Sequence, residues 1–499
     1  MEKSDRHCLI TGKAGTGKST LLLLFREQTK KRVAVLSPTG VAAVNIAGQT
    51  IHSFFGFRPD ITVEKAVQSA KKVIKQKREE LYQELSALVV DEISMVRADL
   101  FHCMDVFLRT VRKKKSVPFG GVQMILFGDL YQLPPVMRSQ EREIFASMYP
   151  GIYFFDAPVL REMKLEMVEL EKVYRQKDGE FIRLLNAVRN NTVTPEDLAL
   201  FNRRCIPDFS AHGSVYVTLT TTNDMARQIN DRELASLRGR SRIYRSEVSG
   251  HFDRSSFPTD ETLELKTGAQ VMLLNNDSEG RWINGTMGKV TALERDFVSV
   301  QLEDGSKWEV GPYKWDLYHY EFDAKTGSLN TVTAGSFTQI PLRLAWAVTI
   351  HKSQGKTFDH VVVDMGRGAF ATGQTYVALS RCRTLEGLVL RQPLKNSHVR
   401  VDYRIMKFMT GHQYAVSETA MPLEAKFSFL EEAIRAKASL EMVYLKREDE
   451  KTRRRIRPLE VGEMEYSGKT FPGLRAFCEE RHEERTFRVD RILEMKRVT

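Results

Sequence analysis

Apolar and polar positions fall into blocks that predict an α/β chain interrupted by one charged helical stretch and one β-rich stretch. His7–Thr11 is short and apolar enough for a strand, and residues 19–28 have helical composition. Leu85–Val90 and Gln123–Phe127 are two further apolar runs of strand length, and Gln374–Ser380 predicts a helix. Val63–Leu85 is charged and helix-forming, with KKVIKQKREE at its centre. Leu263–Val310 reads differently. Its short strands are broken at Asn276–Asp277, Asn284–Gly285 and Asp304–Gly305, the pattern of a small barrel. Past about Phe427 the pattern changes again, to a helix at Leu430–Lys437 and a strand at Leu440–Leu445. The longest apolar runs, such as Leu21–Phe25, are far short of a membrane span.

At 499 residues the chain is too long for one core and fits about three or four domains. Hydrophobic residues make up 42% and charged residues 28%, which is globular. The formal net charge of +11 suggests a polyanionic partner, although a mildly basic soluble surface gives the same balance. Cys8, Cys103, Cys205, Cys382 and Cys478 are scattered, without C-x-x-C or His/Cys metal spacing. A reduced protein is expected, cytoplasmic and nucleoid-associated in a bacterial-type cell or otherwise intracellular. Nothing before Gly12 reads as a signal peptide.

Candidate chemistry sharpens this. GKAGTGKST (Gly12–Thr20) lies between the first predicted strand and helix, as a phosphate-binding loop requires. Gly12, Ala14, Gly15, Thr16 and Gly17 supply inward-turned N–H groups, and Lys18 reaches the β- and γ-phosphates of ATP. Ser19, followed by Thr20, offers a hydroxyl to Mg²⁺, which needs few protein ligands. Leu85–Val90 runs into Asp91 and Glu92, which puts both carboxylates at the sheet's carboxyl edge. Asp91 suits Mg²⁺, directly or through water, and Glu92 suits the base that orients the attacking water. Gln132, in FGDLYQLPP, can bond the γ-phosphate or that water, and Pro134–Pro135 stiffens the segment after it. Arg175 in VYRQ and Arg381 in ALSR are candidate arginine fingers.

Taken in order, these motifs closely resemble the superfamily 1 DNA helicases, and within them the Pif (petite integration frequency) family, RecD-like in its ATP motifs. Ser37–Phe57 is similar to the family's motif Ia block, and Pro118–Val136, with its P-F-G-G, to its signature stretch. The resemblance covers roughly residues 7–400. It implies two tandem RecA-like domains, 1–165 and 166–410. The first would carry a wedge insertion at about 56–85, the second a Src-homology-like barrel at about 262–340, with a linker at 411–426. It implies that Gly355, in VTIHKSQGKT, lies at the nucleotide. It places Thr39, Thr50 and His52, Thr221 and Asn223, and Thr349, His351 and Lys352 on a single-stranded DNA track. His52 and Phe54 can stack on bases; the alternative for Phe54 and Phe55 is core packing. Eleven residues precede Gly12 and none is Gln, so the family's adenine-reading glutamine has no counterpart and other nucleoside triphosphates are expected to serve.

The last segment, 427–499, resembles a WYL-type barrel domain that binds nucleic acid or nucleotide-like ligands. The matching positions are Tyr444, Arg455, Pro458, Leu459, Arg481, Arg485, Phe487, Arg488, Asp490 and Arg491. The name-giving Trp-Tyr-Leu is here Pro472-Gly473-Leu474, which alters any ligand pocket. The arginines also stand among many glutamates, which fits a mixed solvated surface.

The expected activity is an ATP- and Mg²⁺-dependent DNA helicase moving 5′→3′ on single-stranded DNA. It would act as a monomer in repair, recombination or replication. Its expected partners are tailed or forked duplexes, with G-quadruplexes and RNA–DNA hybrids as further family substrates and no membrane. The alternatives are a DNA-dependent ATPase switch governed by the last domain, and a RecD-like subunit of a nuclease complex.

Overall fold

The computed structural model describes residues 1–137, 141–211, 215–323, 325–366, 368, 371–446 and 448–498. The chain divides into two compact units: one of residues 1–189 and 193–400, the other of 190–192 and 401–499.

The first unit contains two parallel sheets. In chain order the first six strands are β1 (His7–Gly12), β2 (Val33–Ser37), β3 (Gln49–Thr50), β4 (Ala87–Val90), β5 (Gln123–Phe127) and β6 (Leu165–Leu170). They form one sheet in the order β3-β2-β4-β5-β1-β6, parallel throughout. All of β4 and β5 is buried, which explains why both read as unbroken apolar runs. The second sheet has the order Ala347–Thr349, Val217–Thr220, Val361–Asp364 and Leu388–Leu390, again parallel. The P-F-G-G stretch is a structural plug. Phe119 is fully buried, and its N–H donates to the buried Asp105 carboxylate at 2.6 Å.

The segment between the sheets' elements is antiparallel. Five strands, from Lys307–Val310 through Val298–Leu302, Met287–Leu293 and Gln270–Leu273 to Leu342–Leu344, share one sheet. The β-rich region is longer than the expected 262–340. Arg242–Arg245 pairs with Thr262–Leu265, and Glu247–Gly250 pairs with a long hairpin, Tyr313–Asp323 and Ser328–Gln339. Those added strands carry mostly exposed, polar residues, so no apolar run marks them in the sequence. The charged stretch 63–85 forms two helices, Val63–Lys75 and Glu80–Glu84.

In the second unit, the stretch expected as a linker, 411–426, is largely helical. Most of it lies in the helices Tyr403–Ala420 and Leu423–Arg435. Asp402 caps the first by accepting from the Arg404 N–H at 2.9 Å, and Ile405 and Met409 fall one turn apart among its buried positions. A five-stranded antiparallel sheet follows, in the order Glu483–Arg488, Lys469–Cys478, Lys451–Tyr466, Leu440–Leu445, Ile492–Arg497. Leu430, Leu440, Met442, Ile456, Leu474 and Ile492 are fully buried in its core. Among the described residues no helix is long and apolar enough to cross a membrane.

One hairpin contact ties the β-rich segment to the first sheet. β3 pairs only with Leu36 and Ser37, so β2 lacks a strand partner at Val35 on that side. The Tyr320 hydroxyl, from the long hairpin, accepts from the Val35 N–H at 2.8 Å in a buried position. Tyr320→Phe removes that acceptor while keeping the ring. A buried amide left unmade costs about 1–3 kcal/mol. The variant should show a lower midpoint of chemical denaturation; an unchanged midpoint would mean that water replaces the hydroxyl.

Candidate active site

The site forms where the carboxyl ends of β1, β4 and β5 meet the helix Gln374–Leu379 and the residues around Gly355 and Ser380. β1 runs into the loop that precedes the helix Lys18–Gln28. That helix has no acidic residue in its first turn and no side-chain cap, so its N-terminal N–H groups face outward, suited to an anion. Lys18 Nζ donates to the carbonyls of Gly12 (2.7 Å) and Lys13 (3.0 Å). Burial lowers its pKa, against the pull of Asp129 and Glu92. Thr16 closes the loop, donating to the Lys13 carbonyl at 2.9 Å. Ser19 and Thr20 are exposed on the helix's first turn.

Gly15 shows why the loop needs a glycine. Its φ is +78°, and a Cβ there would lie 2.4 Å from the Cβ of Arg175. Its carbonyl accepts from the Tyr174 N–H at 2.9 Å. The VYRQ segment is thereby pressed against the phosphate loop.

At the end of β4, Asp91 and Glu92 are half-buried, and among the described residues neither forms an ion pair. Burial raises both carboxyls. Glu92 is pushed up to about 7, with Asp91 adding to the rise and Lys18 and Arg381 opposing it. Glu92 also has φ +50°, a left-handed conformation uncommon outside glycine. Two desolvated acids at the end of β4, close enough to feel the Lys18 charge on the loop helix, fit a divalent cation that keeps most of its waters. Ser19 and Asp91 are the residues that would hold it.

Beyond β5, Gln132 is buried, and its amide donates to Asp129 Oδ2 at 3.2 Å. Gly373, φ +71°, stands just before the helix Gln374–Leu379, where a Cβ would lie 2.2 Å from the Gln132 carbonyl oxygen. Tyr376 on that helix accepts from the Ala14 N–H at 3.0 Å. Gln132 and the loop thus both pack against one short helix.

Arg175 and Arg381 meet at Ser380. Arg175 donates to the Ser380 carbonyl (3.2 Å) and the Gly355 carbonyl (3.4 Å). Arg381 donates to the Ser380 hydroxyl (2.9 Å) and the Val377 carbonyl (2.9 Å). Burial lowers Arg175 to about 10 and Arg381 to about 9, the latter also because Arg175 is near. Among the described residues neither is ion-paired. Two desolvated guanidinium groups held by carbonyls are arranged for an anion still to come.

The nucleic-acid candidates divide. Thr39 caps the helix Gly40–Asn45 and Thr50 the helix Ile51–Phe55, accepting from the N–H of Ala42 (3.3 Å) and Ser53 (3.1 Å). Each hydroxyl keeps a proton to donate. His52 is half-buried, which lowers its pKa. Phe54 is not a base-stacking residue. It is 4% exposed and packs edge-on against Phe55, Tyr82 and Tyr320, because the long hairpin covers it. Thr221 and the segment 350–352 follow neighbouring strands of the second sheet, joined by the Ile350 N–H to the Thr220 carbonyl at 2.9 Å. Asn223 and Lys352 are exposed and His351 is half-buried, while Thr349 is buried and accepts from the Lys352 N–H. Thr222, not singled out in the sequence, caps the helix Asn223–Ser236. Asp129 and Tyr376 also escape sequence reasoning. Their motifs are visible, but the approach of the helix Gln374–Leu379 to the loop is not.

In the second unit the predicted residues do not form one basic face. Tyr444 and Arg485 line a hollow of about 410 Å³ together with Lys446, Arg454 and Phe487. Arg488 and Arg491 line another of about 420 Å³ with Tyr414, Glu418 and Asp490. Arg455 and Arg481 line neither. Carboxylates interleave with the arginines: Arg485 pairs with Glu483, Arg488 with Asp490 (2.7 Å) and Arg455 with Glu479 (3.9 Å).

Comparison with known proteins agrees with this geometry. The PIF1-like helicase family profile matches residues 1–198, and the WYL domain profile matches residues 425–497. The ATP-dependent DNA helicase Pif1 of Bdellovibrio bacteriovorus is 32% identical over 399 residues, covering 78% of this chain and 84% of that protein. The ATP-dependent DNA helicase PIF1 of Homo sapiens is 36% identical over 412 residues, covering 80% of this chain and 60% of that protein. The chain therefore spans about three fifths of the human relative's length. The crystal structure of Bacteroides sp Pif1 in complex with ADP-AlF4 superposes with a TM-score of 0.75 at 38% identity, covering 82% of this chain and 94% of that one. The two parallel sheets are accordingly two RecA-like domains.

Glu92 makes the site's electrostatics measurable. Its carboxyl rises from 4.5 to about 7, so the ionised form opposes folding. That penalty is absent below the unfolded value, grows between 4.5 and about 7, and is constant above. Glu92→Gln removes it. The variant should melt above the wild type at about pH 8, with the gain shrinking toward zero near about pH 5. A gain that ignores pH would contradict a raised Glu92.

Proposed function

The chain belongs to the Pif1-like helicase family, and on that premise we propose that it is an ATP-driven motor that moves 5′→3′ along single-stranded DNA and unwinds duplex. The observation that carries this reading is the convergence, on one phosphate loop, of Lys18, Glu92, Gln132 and two arginines that share Ser380. The loop N–H groups and Lys18 bind the phosphates of ATP. Ser19 and Asp91 would hold Mg²⁺, which would supply positive charge beside the phosphates. Glu92 orients the attacking water and takes its proton, Gln132 bonds the γ-phosphate end, and Arg175 and Arg381 stabilise charge on the γ-phosphate oxygens. Gly355 lies just past the DNA-side residues His351 and Lys352 in one segment, and its carbonyl accepts from Arg175, so a change at the nucleotide is felt at the strand.

The domain reading comes with it. The first RecA-like domain is 1–165, with the wedge at about 56–85, and the second runs from 166 to about 400, short of the expected 410 because the helix Tyr403–Ala420 lies in the second unit. The strands within 262–340 are a Src-homology-like barrel beside the DNA. The last unit is a WYL-type barrel that modulates DNA binding or coupling. Thr39, Thr50, His52, Thr221, Asn223, Thr349, His351 and Lys352 hold single-stranded DNA through its backbone. The protein acts as an intracellular monomer on tailed and forked duplexes, with G-quadruplexes and RNA–DNA hybrids as further substrates.

Strand displacement with matched 5′- and 3′-tailed duplexes tests the motor and its polarity together. Displacement of the 5′-tailed substrate alone is expected. DNA-stimulated hydrolysis without displacement would favour a switch. Lys18→Ala should abolish hydrolysis, and Glu92→Gln should bind nucleotide but not turn it over. Arg175→Ala and Arg381→Ala should each cost about 10²-fold or more in DNA-stimulated turnover, given finger effects of about 10³ to 10⁵. A variant with normal stimulated turnover removes that arginine from the finger role.

A further inference from the structure

A third arginine, Arg189, lies close to the same site and is not explained by the fingers. It stands near the end of the helix Gly179–Asn190, among the residues that come after the first parallel sheet. Its side chain is 1% exposed. The guanidinium carbon sits 3.9 Å from the centre of the Tyr131 ring, and Nη2 lies 3.5 Å from Asp129 Oδ1. Asp129 is itself 1% exposed. Its other oxygen, Oδ2, accepts from the Gln132 amide at 3.2 Å, and Oδ1 also accepts from the Tyr131 N–H at 3.2 Å.

Burying a guanidinium and a carboxylate side by side is a poor way to gain stability. The desolvation penalty takes back much of the attraction, and an apolar pair of the same volume often serves as well. What the pair supplies is direction. A buried carboxylate with one oxygen held by Arg189 and the Tyr131 N–H presents the other to the amide of Gln132. That fixes which way the amide points, at the end of β5 where the γ-phosphate would lie. The charges of both Arg189 and Asp129 are felt at Lys18 and Tyr376, so the pair sits within the loop's own electrostatic neighbourhood.

We propose that Arg189 is a positioning residue for ATP hydrolysis, acting through Asp129 to hold the side chain of Gln132. Arg189 belongs to the segment that leads from the first sheet into the second. Movement of that segment relative to the first sheet changes the hold on Asp129. Gln132 thereby senses domain closure by a route separate from Arg175 and Arg381. The inference rests on the helicase reading above.

A double-mutant cycle on single-stranded-DNA-stimulated ATP hydrolysis tests it in the full chain. Arg189→Lys keeps the charge and the stem but loses the planar fork. It should lower kcat by about tenfold and leave KM for ATP within about twofold. In a Gln132→Leu background the same change should alter kcat by less than about twofold, because the group it positions is gone. Equal losses in both backgrounds would show that Arg189 acts on its own, as a third finger or as scaffold, and would overturn the proposal. An unchanged kcat in the single variant would also overturn it. If Arg189→Lys does not fold, Asp129→Asn replaces it in the same cycle, with the same two outcomes. A wild-type protein without DNA-stimulated hydrolysis would bring down the helicase reading and this inference together. A stimulated wild type beside a normal Arg189→Lys brings down this inference alone.

Discussion

Unmatched charge at the seam between two parallel sheets is the constraint on which the rest of this structure depends. Lys18, Arg175 and Arg381 are all desolvated enough to lower their pKa, and Asp91 and Glu92 enough to raise theirs. Folding would gain by pairing these groups directly. Instead the cations are held by backbone carbonyls and by the Ser380 hydroxyl, and the acids by none of the arginines. Such an arrangement costs stability and is retained where a polyanion supplies the missing charge. The rest of the first unit can be understood as a frame that keeps these groups apart yet close.

That work is done by a few tight approaches. Gly15 lets Arg175 lie against the loop, and Gly373 lets the helix Gln374–Leu379 lie against the Gln132 backbone. A methyl at either position would open the seam by an ångström or more. The long hairpin makes a comparable contact on the other side, where Tyr320 completes β2 and covers Phe54. One aromatic cluster thereby joins motif Ia, the helical insertion and the β-rich segment. Motion of the hairpin cannot leave the first sheet's edge unaffected.

The second unit obeys a different logic. Its arginines are interleaved with carboxylates along and across its strands, as Arg453 with Glu441, Arg475 with Glu460, Arg485 with Glu483 and Arg488 with Asp490. Its two hollows are shallow features of that mixed surface, and each has an aromatic ring at its wall: Tyr444 and Phe487 in one, Tyr414 in the other.

The local sequence singled out the candidate site residues. Strand–loop–helix geometry around Gly12–Thr20, two acids after an apolar run, and a glutamine after another are short-range patterns. In a parallel sheet the ends of such runs converge on one edge by construction. The sequence also marked the β-rich segment, because its turns need asparagine, aspartate and glycine. What only the tertiary structure decided was which side chains meet across hundreds of residues. Phe54 went to the core because a hairpin that begins at Tyr313 closes over it. The region at 411–426 is largely helix, but its buried positions there, Ser417 and Lys426, are polar, so no apolar stripe marks it in the sequence. Arg189 looks like any arginine on an amphipathic helix until Asp129 and Tyr131 enclose it. Periodicity records which face of an element is buried; it does not record what that face is buried against.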